Sequence, residues 1–204
     1  MTTQKTTGPA KIQAVLFDMD GVLIEAKDWH YEALNRALEI FGMPISRVDY
    51  ETTFDGLPTK RKLEILSVER GLPRQLHGFL NDLKQQYTVK MVHTRCKPQF
   101  AQERALSALK SDGYRLAVCS NSIRSTVELM MEKAALSPYL DLIVSNEDVA
   151  KPKPAYFQLI LERLELPPER VVFVDDVPVS VDLPSSVSLK IVESADGVKG
   201  DRSE

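Results

Sequence analysis

Val15-Leu16-Phe17-Asp18-Met19-Asp20-Gly21 is the stretch on which the reading of this chain turns. An apolar run ends in two carboxylates one residue apart, and a glycine follows at once. A strand that leaves a core and delivers acids at its carboxyl end has the layout of an α/β active site. Residues i and i+2 of an extended chain point the same way. With a turn at Met19, one acid attacks while the other handles a proton. Two acids also suit a divalent cation that prefers hard oxygen ligands. A plain polar turn uses the same residue types, so the segment by itself leaves both readings open.

Backwards from Asp18, the run Lys11–Asp18 is nearly continuous in Ile12, Ala14, Val15, Leu16 and Phe17, as in a parallel strand covered on both faces. Forwards, the pattern becomes helical. Trp29, Ala33, Leu34, Ala37, Leu38 and Phe41 recur at three- and four-residue spacing. They predict a helix capped by Asp28 and stopped by Gly42 and Pro44. A second helix is expected from Pro58 to Gly71 and a third over Arg74–Tyr87. Residues 27–94 thus read as a small all-helical unit.

From Pro98 onward, strands and helices alternate. Helices are expected at Pro98–Lys110, Ser122–Ala134 and Ala155–Leu164. Strands are expected at Arg115–Ser120, Leu142–Asn146 and Val171–Asp176, with a final edge strand at Ser188–Val192. The alternation implies an α/β fold with a doubly wound parallel sheet. The catalytic core would comprise residues 1–26 and 95–204, with 1–11 a polar tail, and 27–94 would be inserted into it.

The 204 residues allow one well-buried core plus a small second unit. A composition 43% hydrophobic and 27% charged argues against a disordered chain. The net charge of −3, with no basic run, lacks the footprint of a nucleic-acid binder. No apolar stretch is long enough for a bilayer. The first eleven residues lack the apolar centre of a secretory signal, and there are only two cysteines, Cys96 and Cys119. A reducing cytoplasm is the expected compartment. His93 and Cys96 form a His-x-x-Cys pair, but two ligands do not make a zinc site.

Each predicted core strand ends in polar groups. The first gives Asp18 and Asp20, the second Ser120 and Asn121. The third is followed by Lys151-Pro152-Lys153-Pro154, and the fourth gives Asp175 and Asp176. Each cluster alone is explained as a cap or a solvated turn. Parallel strands, however, bring their carboxyl ends to one edge, where ligands bind.

In order and spacing these four clusters resemble the motifs of the haloacid dehalogenase-like (HAD) hydrolase superfamily, in its phosphatase branch. The resemblance runs from about Ile12 to Asp182. It implies a Rossmann-like core with a helical cap, as in the phosphoglycolate phosphatase and β-phosphoglucomutase group. It also implies a Mg2+-dependent phosphatase acting on a small phosphomonoester, such as a sugar phosphate, through an aspartyl-phosphate. Asp18 would be the nucleophile and Asp20 the general acid and base. Ser120, Asn121, Lys151 and the backbone N–H groups of Met19 and Gly21 would hold the phosphate. Asp18, the Asp20 carbonyl and Asp176 would bind the metal, with Asp175 supporting them. His30 sits where that group often has a histidine. Glu25, Trp29 and Thr59-Lys60-Arg61 are further cap candidates for substrate contact. Partners are expected to be small molecules, with no nucleic acid and no membrane.

Asp20 is absent from the superfamily's dehalogenases, so its presence favours phosphoryl transfer. The mutases of the group carry a cap arginine for a second phosphate where this chain has Thr59. A phosphosugar mutase, or a catalytically weak phospholigand-binding protein, stays as an alternative. Val177–Pro184 departs from the family pattern, which has a glycine and an Ala-rich helix there.

Overall fold

A computed structural model describes residues 11–149 and 154–175. The first strand, β1 (Ala14–Asp18), is buried at every position. It lies at the centre of a four-stranded sheet of order β3-β2-β1-β4, with β2 at Arg115–Cys119, β3 at Leu142–Val144 and β4 at Val171–Val174. All three pairings are parallel. Strand order therefore runs outward from β1 on one side and then switches to its other side, which places a crevice at the carboxyl ends of β1 and β4.

The continuous apolar run of β1 follows from burial on both faces. Val15 and Phe17 pack with Leu116, Val118, Val127, Met130 and Met131. Ala14 and Leu16 pack oppositely with Ala117, Cys119, Phe157 and Ile160. The two-residue period of a strand divides them in this way.

Between β1 and β2 the chain is helical: α1 (Lys27–Glu39), the single turn α2 (Arg47–Asp49) leading into a wide turn at Tyr50–Phe54, α3 (Thr59–Arg70) and α4 (His77–Arg95). They share a core of their own around Leu34, Leu38, Phe54, Leu63, Leu66 and Leu80. Then come α5 (Phe100–Ser111), β2, α6 (Arg124–Lys133), β3, α7 (Pro154–Leu164) and β4.

Several expected boundaries move. Asp28 is not the cap of α1: Ala26 holds that position without a side-chain bond, and Asp28 in the first turn pairs with Arg47. The helix predicted to end at Tyr87 continues to Arg95, because Thr88, Met91 and Val92 extend its buried stripe. Gly71 ends α3 in the left-handed region at φ 71°, as a C-terminal glycine does. The helix expected from Ser122 begins at Arg124. The predicted edge strand at Ser188–Val192 and the segment Val177–Pro184 lie outside the described residues. Among the described residues, no helix is long and apolar enough to cross a membrane.

Candidate active site

After Asp18 the chain folds back on itself. The Met19 carbonyl accepts from the N–H groups of Leu23 and Ile24, both at 3.0 Å. Gly21 adopts φ 87°, a conformation that L side chains rarely tolerate. This loop stands Asp20 beside the first turns of α1, where His30 reaches back to it. His30 Nε2 lies 3.3 Å from Asp20 Oδ1, but the approach is too oblique for a well-formed hydrogen bond.

Asp18 is 8% exposed and opens into a cleft of about 170 Å³. The cleft is bounded by the strand-end loops on one side and by α1, α3 and α4 on the other. Asp18, Asp20, Asn121 and Ser122 line it from the loops. His30, Thr59, Lys60, Lys62 and Lys84 line it from the helices.

Burial drives the Asp20 carboxyl upward, but the His30 ring beside it, with Lys84 and Lys62 farther off, outweighs that and holds it below its ordinary value. His30 is also lowered: burial dominates, Asp20 opposes it and Lys84 adds to it. Lys84 Nζ is 3.4 Å from His30 Nδ1, and burial brings its ammonium down to about 8. Lys62 donates to the Tyr50 hydroxyl at 2.7 Å and stands 4.3 Å from that ring's centroid. Burial, then the charge of Lys84, lower Lys62 to about 7.

The Asn121 side chain ties the two sides together. Its Nδ2 donates to the Gly56 carbonyl at 2.8 Å, and its Oδ1 accepts from the Tyr156 hydroxyl at 2.9 Å.

A sequence profile described as haloacid dehalogenase-like hydrolase matches residues 15–191. The chain belongs to that family. It is 29% identical over 189 residues to a phosphorylated carbohydrates phosphatase of Thermotoga maritima, a match covering 88% of this chain and 83% of the relative. It is 28% identical over 173 residues to a phosphoglycolate phosphatase of Aquifex aeolicus, covering 84% and 79%. In fold it is similar to the crystal structure of CbbY from Rhodobacter sphaeroides in complex with phosphate, with TM-score 0.72 and 24% identity over 82% of this chain and 79% of that one.

Within this haloacid dehalogenase-like hydrolase, the expected site residues are partly gathered. Asp18, Asp20, His30, Asn121, Thr59 and Lys60 share the cleft. Ser120 ends up just past β2, with its hydroxyl accepting from the Ser122 N–H at 3.1 Å. The first N–H of α6, on Arg124, is taken by Glu147 at 2.8 Å, so that helix start already has its anion. The Gly21 N–H is not available to a phosphate: it donates to the Ile24 carbonyl at 2.9 Å. Met19 turns its side chain into the core. Arg61 is exposed and pairs with Glu64 at 3.1 Å, away from the cleft. Trp29 packs against the sheet core, and Glu25 borders a neighbouring depression. Lys151 and Asp176 lie outside the described residues.

Asp18 and Asp175 bear on the predicted metal. The β1–β4 register pairs Phe17 with Val174, so the two acids follow at the same level on adjacent strands. Both are hard oxygen donors, which fits magnesium. Among the described residues no group of three or more His, Cys, Asp or Glu side chains is placed to hold an ion.

The sequence reading missed Lys62 and Lys84. The signal was present: Lys84 stands four residues from both Leu80 and Thr88 on the inward stripe of α4, and Lys62 adjoins Leu63 four residues before Leu66. A lysine on an apolar stripe at helical spacing marks an inward-facing charge.

Proposed function

We propose that this chain is a phosphatase that hydrolyses small phosphomonoesters, with Asp18 as nucleophile and residues 27–94 as a cap over the cleft. The observation that carries the reading is the position of Asp18. It stands at the end of the central strand, on the floor of a cleft that also holds Asp20 and is roofed by lysines of α3 and α4. The named activities of the two phosphatase relatives point the same way.

In the first step an Asp18 carboxylate oxygen attacks phosphorus and the ester P–O bond breaks. The leaving alkoxide takes a proton from Asp20. In the second step Asp20 removes a proton from water as its oxygen attacks phosphorus, which frees phosphate and restores Asp18. The lowered Asp20 carboxyl is ionised before substrate arrives, which suits the second step. A phosphate dianion arriving beside it raises its proton affinity, so Asp20 takes up a proton as the substrate binds and enters the first step protonated. Ser120, Asn121 and Lys151 supply donors for the phosphate oxygens. Magnesium, held by Asp18, the Asp20 carbonyl and Asp176 with Asp175 in support, would offset the repulsion between carboxylate and phosphate.

The test is phosphate release from a panel of phosphomonoesters, with magnesium and with chelator. Release that requires magnesium and disappears in Asp18→Asn supports the reading. An absence of release across sugar phosphates, phosphorylated acids and simple alkyl phosphates overturns it.

A further inference from the structure

Tyr156 is 2% exposed on α7, and its ring packs with the apolar residues of the sheet. Phenylalanine would fill that space as well. The hydroxyl is the surplus group, and it donates to Asn121 Oδ1 at 2.9 Å. A hydroxyl carried so far from water is costly without a bond of that kind.

Asn121 is held at three points. Its backbone carbonyl accepts from Asn146 Nδ2 at 2.8 Å, its Oδ1 accepts from Tyr156, and its Nδ2 donates to the Gly56 carbonyl at 2.8 Å. A backbone carbonyl only accepts, so Gly56 fixes the sense of the chain. Nδ2 must face the turn before α3, Oδ1 must face α7, and the Tyr156 hydroxyl must donate. An amide nitrogen carries two N–H groups, and Gly56 takes one. The second has no acceptor among the described residues, and Asn121 lines the same cleft as Asp18. A reversed amide would offer phosphate a carbonyl oxygen, which repels it.

We propose that Tyr156 is a positioning residue which, through Asn121, couples phosphate binding to closure of residues 27–94 over the cleft. The inference rests on the phosphatase reading above. With the Gly56 carbonyl in place, the amide already points its donor end at the cleft, and the second N–H meets the phosphate without reorienting. A bound phosphate holds the amide in that same sense, which is the one the Gly56 carbonyl needs. Without the Tyr156 hydroxyl, Oδ1 loses its anchor and the amide is free to turn about its last bond, so neither partner prepares the site for the other.

The experiment compares wild type with Tyr156→Phe, with magnesium present. Calorimetry gives the Kd for inorganic phosphate. Hydrogen exchange, with and without phosphate, is read at the amides of Asp55 and Leu57. These flank Gly56 and donate within the turn to the carbonyls of Tyr50 and Phe54 at 2.8 and 3.2 Å. In the wild type, phosphate should slow exchange at both. In Tyr156→Phe the Kd should rise about fivefold, the effect of one hydrogen bond, and the slowing should shrink with it. Linkage is reciprocal, so the two changes must come together, and either one alone overturns the coupling. A variant equal to wild type in both measurements also overturns it, as does a wild type that binds no phosphate or whose amides ignore it. Far-ultraviolet circular dichroism checks that Tyr156→Phe is folded. The phosphatase reading is judged separately, by the ester panel: phosphate that binds and slows exchange while no ester is cleaved keeps the coupling and overturns that reading.

Discussion

His30 Nε2 faces Asp20 Oδ1 across 3.3 Å, and the two groups shift each other's protonation in opposite senses. Asp20 raises the proton affinity of His30 against the larger effect of burial. Removing the carboxylate leaves burial and the nearby lysine charges acting in one direction. In Asp20→Asn the His30 imidazole should therefore titrate at lower pH than in the wild type, where it is already below its ordinary value. The chain has only three histidines, so imidazole proton resonances followed over pH 4–8 by NMR resolve the effect. An upward movement would contradict the geometry.

Loss of the Asp20 proton relay should slow turnover by about 10²- to 10⁴-fold, the usual range for a positioned acid–base group. Loss of the nucleophile in Asp18→Asn should take turnover below detection. Neither change removes a core side chain, so far-ultraviolet circular dichroism should match the wild type. Steady-state kinetics with the spectra alongside check both.

Lys62 makes stability depend on pH. Its folded value, about 7, lies below the ordinary lysine value of about 10.4. Between these limits the unfolded chain binds more protons, so stability rises with pH, with a slope of at most about 1.4 kcal/mol per pH unit from this group. Below pH 7 the contribution is gone. Urea unfolding of wild type and Lys62→Met at pH 6 and pH 9 should show the variant gaining relative stability at the lower pH.

The link from Asn121 Nδ2 to the Gly56 carbonyl joins the strand-end loop to the turn before α3. Asn121→Leu removes it and also leaves the Tyr156 hydroxyl without its 2.9 Å acceptor. A single hydrogen bond of this type contributes about 1 kcal/mol, so global stability should fall by about 1–2 kcal/mol. Hydrogen exchange should accelerate at the amides of Gly56, Leu57, Thr59 and Lys60 if the link holds the cleft closed. Unchanged exchange there would show that it does not.

The core was legible because β1 and, beyond Arg115, β2 are buried on both faces while β4 is buried on one face and half-buried on the other, and strands so placed have little freedom to be polar. Their apolar runs therefore show directly in Val15–Phe17 and in Val171–Val174. The helical insertion was legible in type from its three- and four-residue spacing, but less so in extent. Thr88 continues the buried face of α4, and a threonine does not register as apolar. The commitment of the Gly21 amide to Ile24 was hidden, because it depends on how tightly the loop turns. Lys62 and Arg61 are adjacent in sequence, but the 100° step of a helix sends one into the cleft and the other to Glu64. A local motif comparison fixes the segment and leaves that rotation to the packing of Leu63 and Leu66.

The two cysteines sit in different places: Cys119 on the sheet at the end of β2 and Cys96 just past α4, both buried. Burial also pushes the Cys96 thiol up, which makes it slower still to react. An aromatic disulfide reagent should therefore modify each sulfur only when its surroundings part. Mass-resolved labelling times would then act as two clocks in the unaltered protein, one timing exposure at the helical segment's junction and the other timing the sheet coming apart.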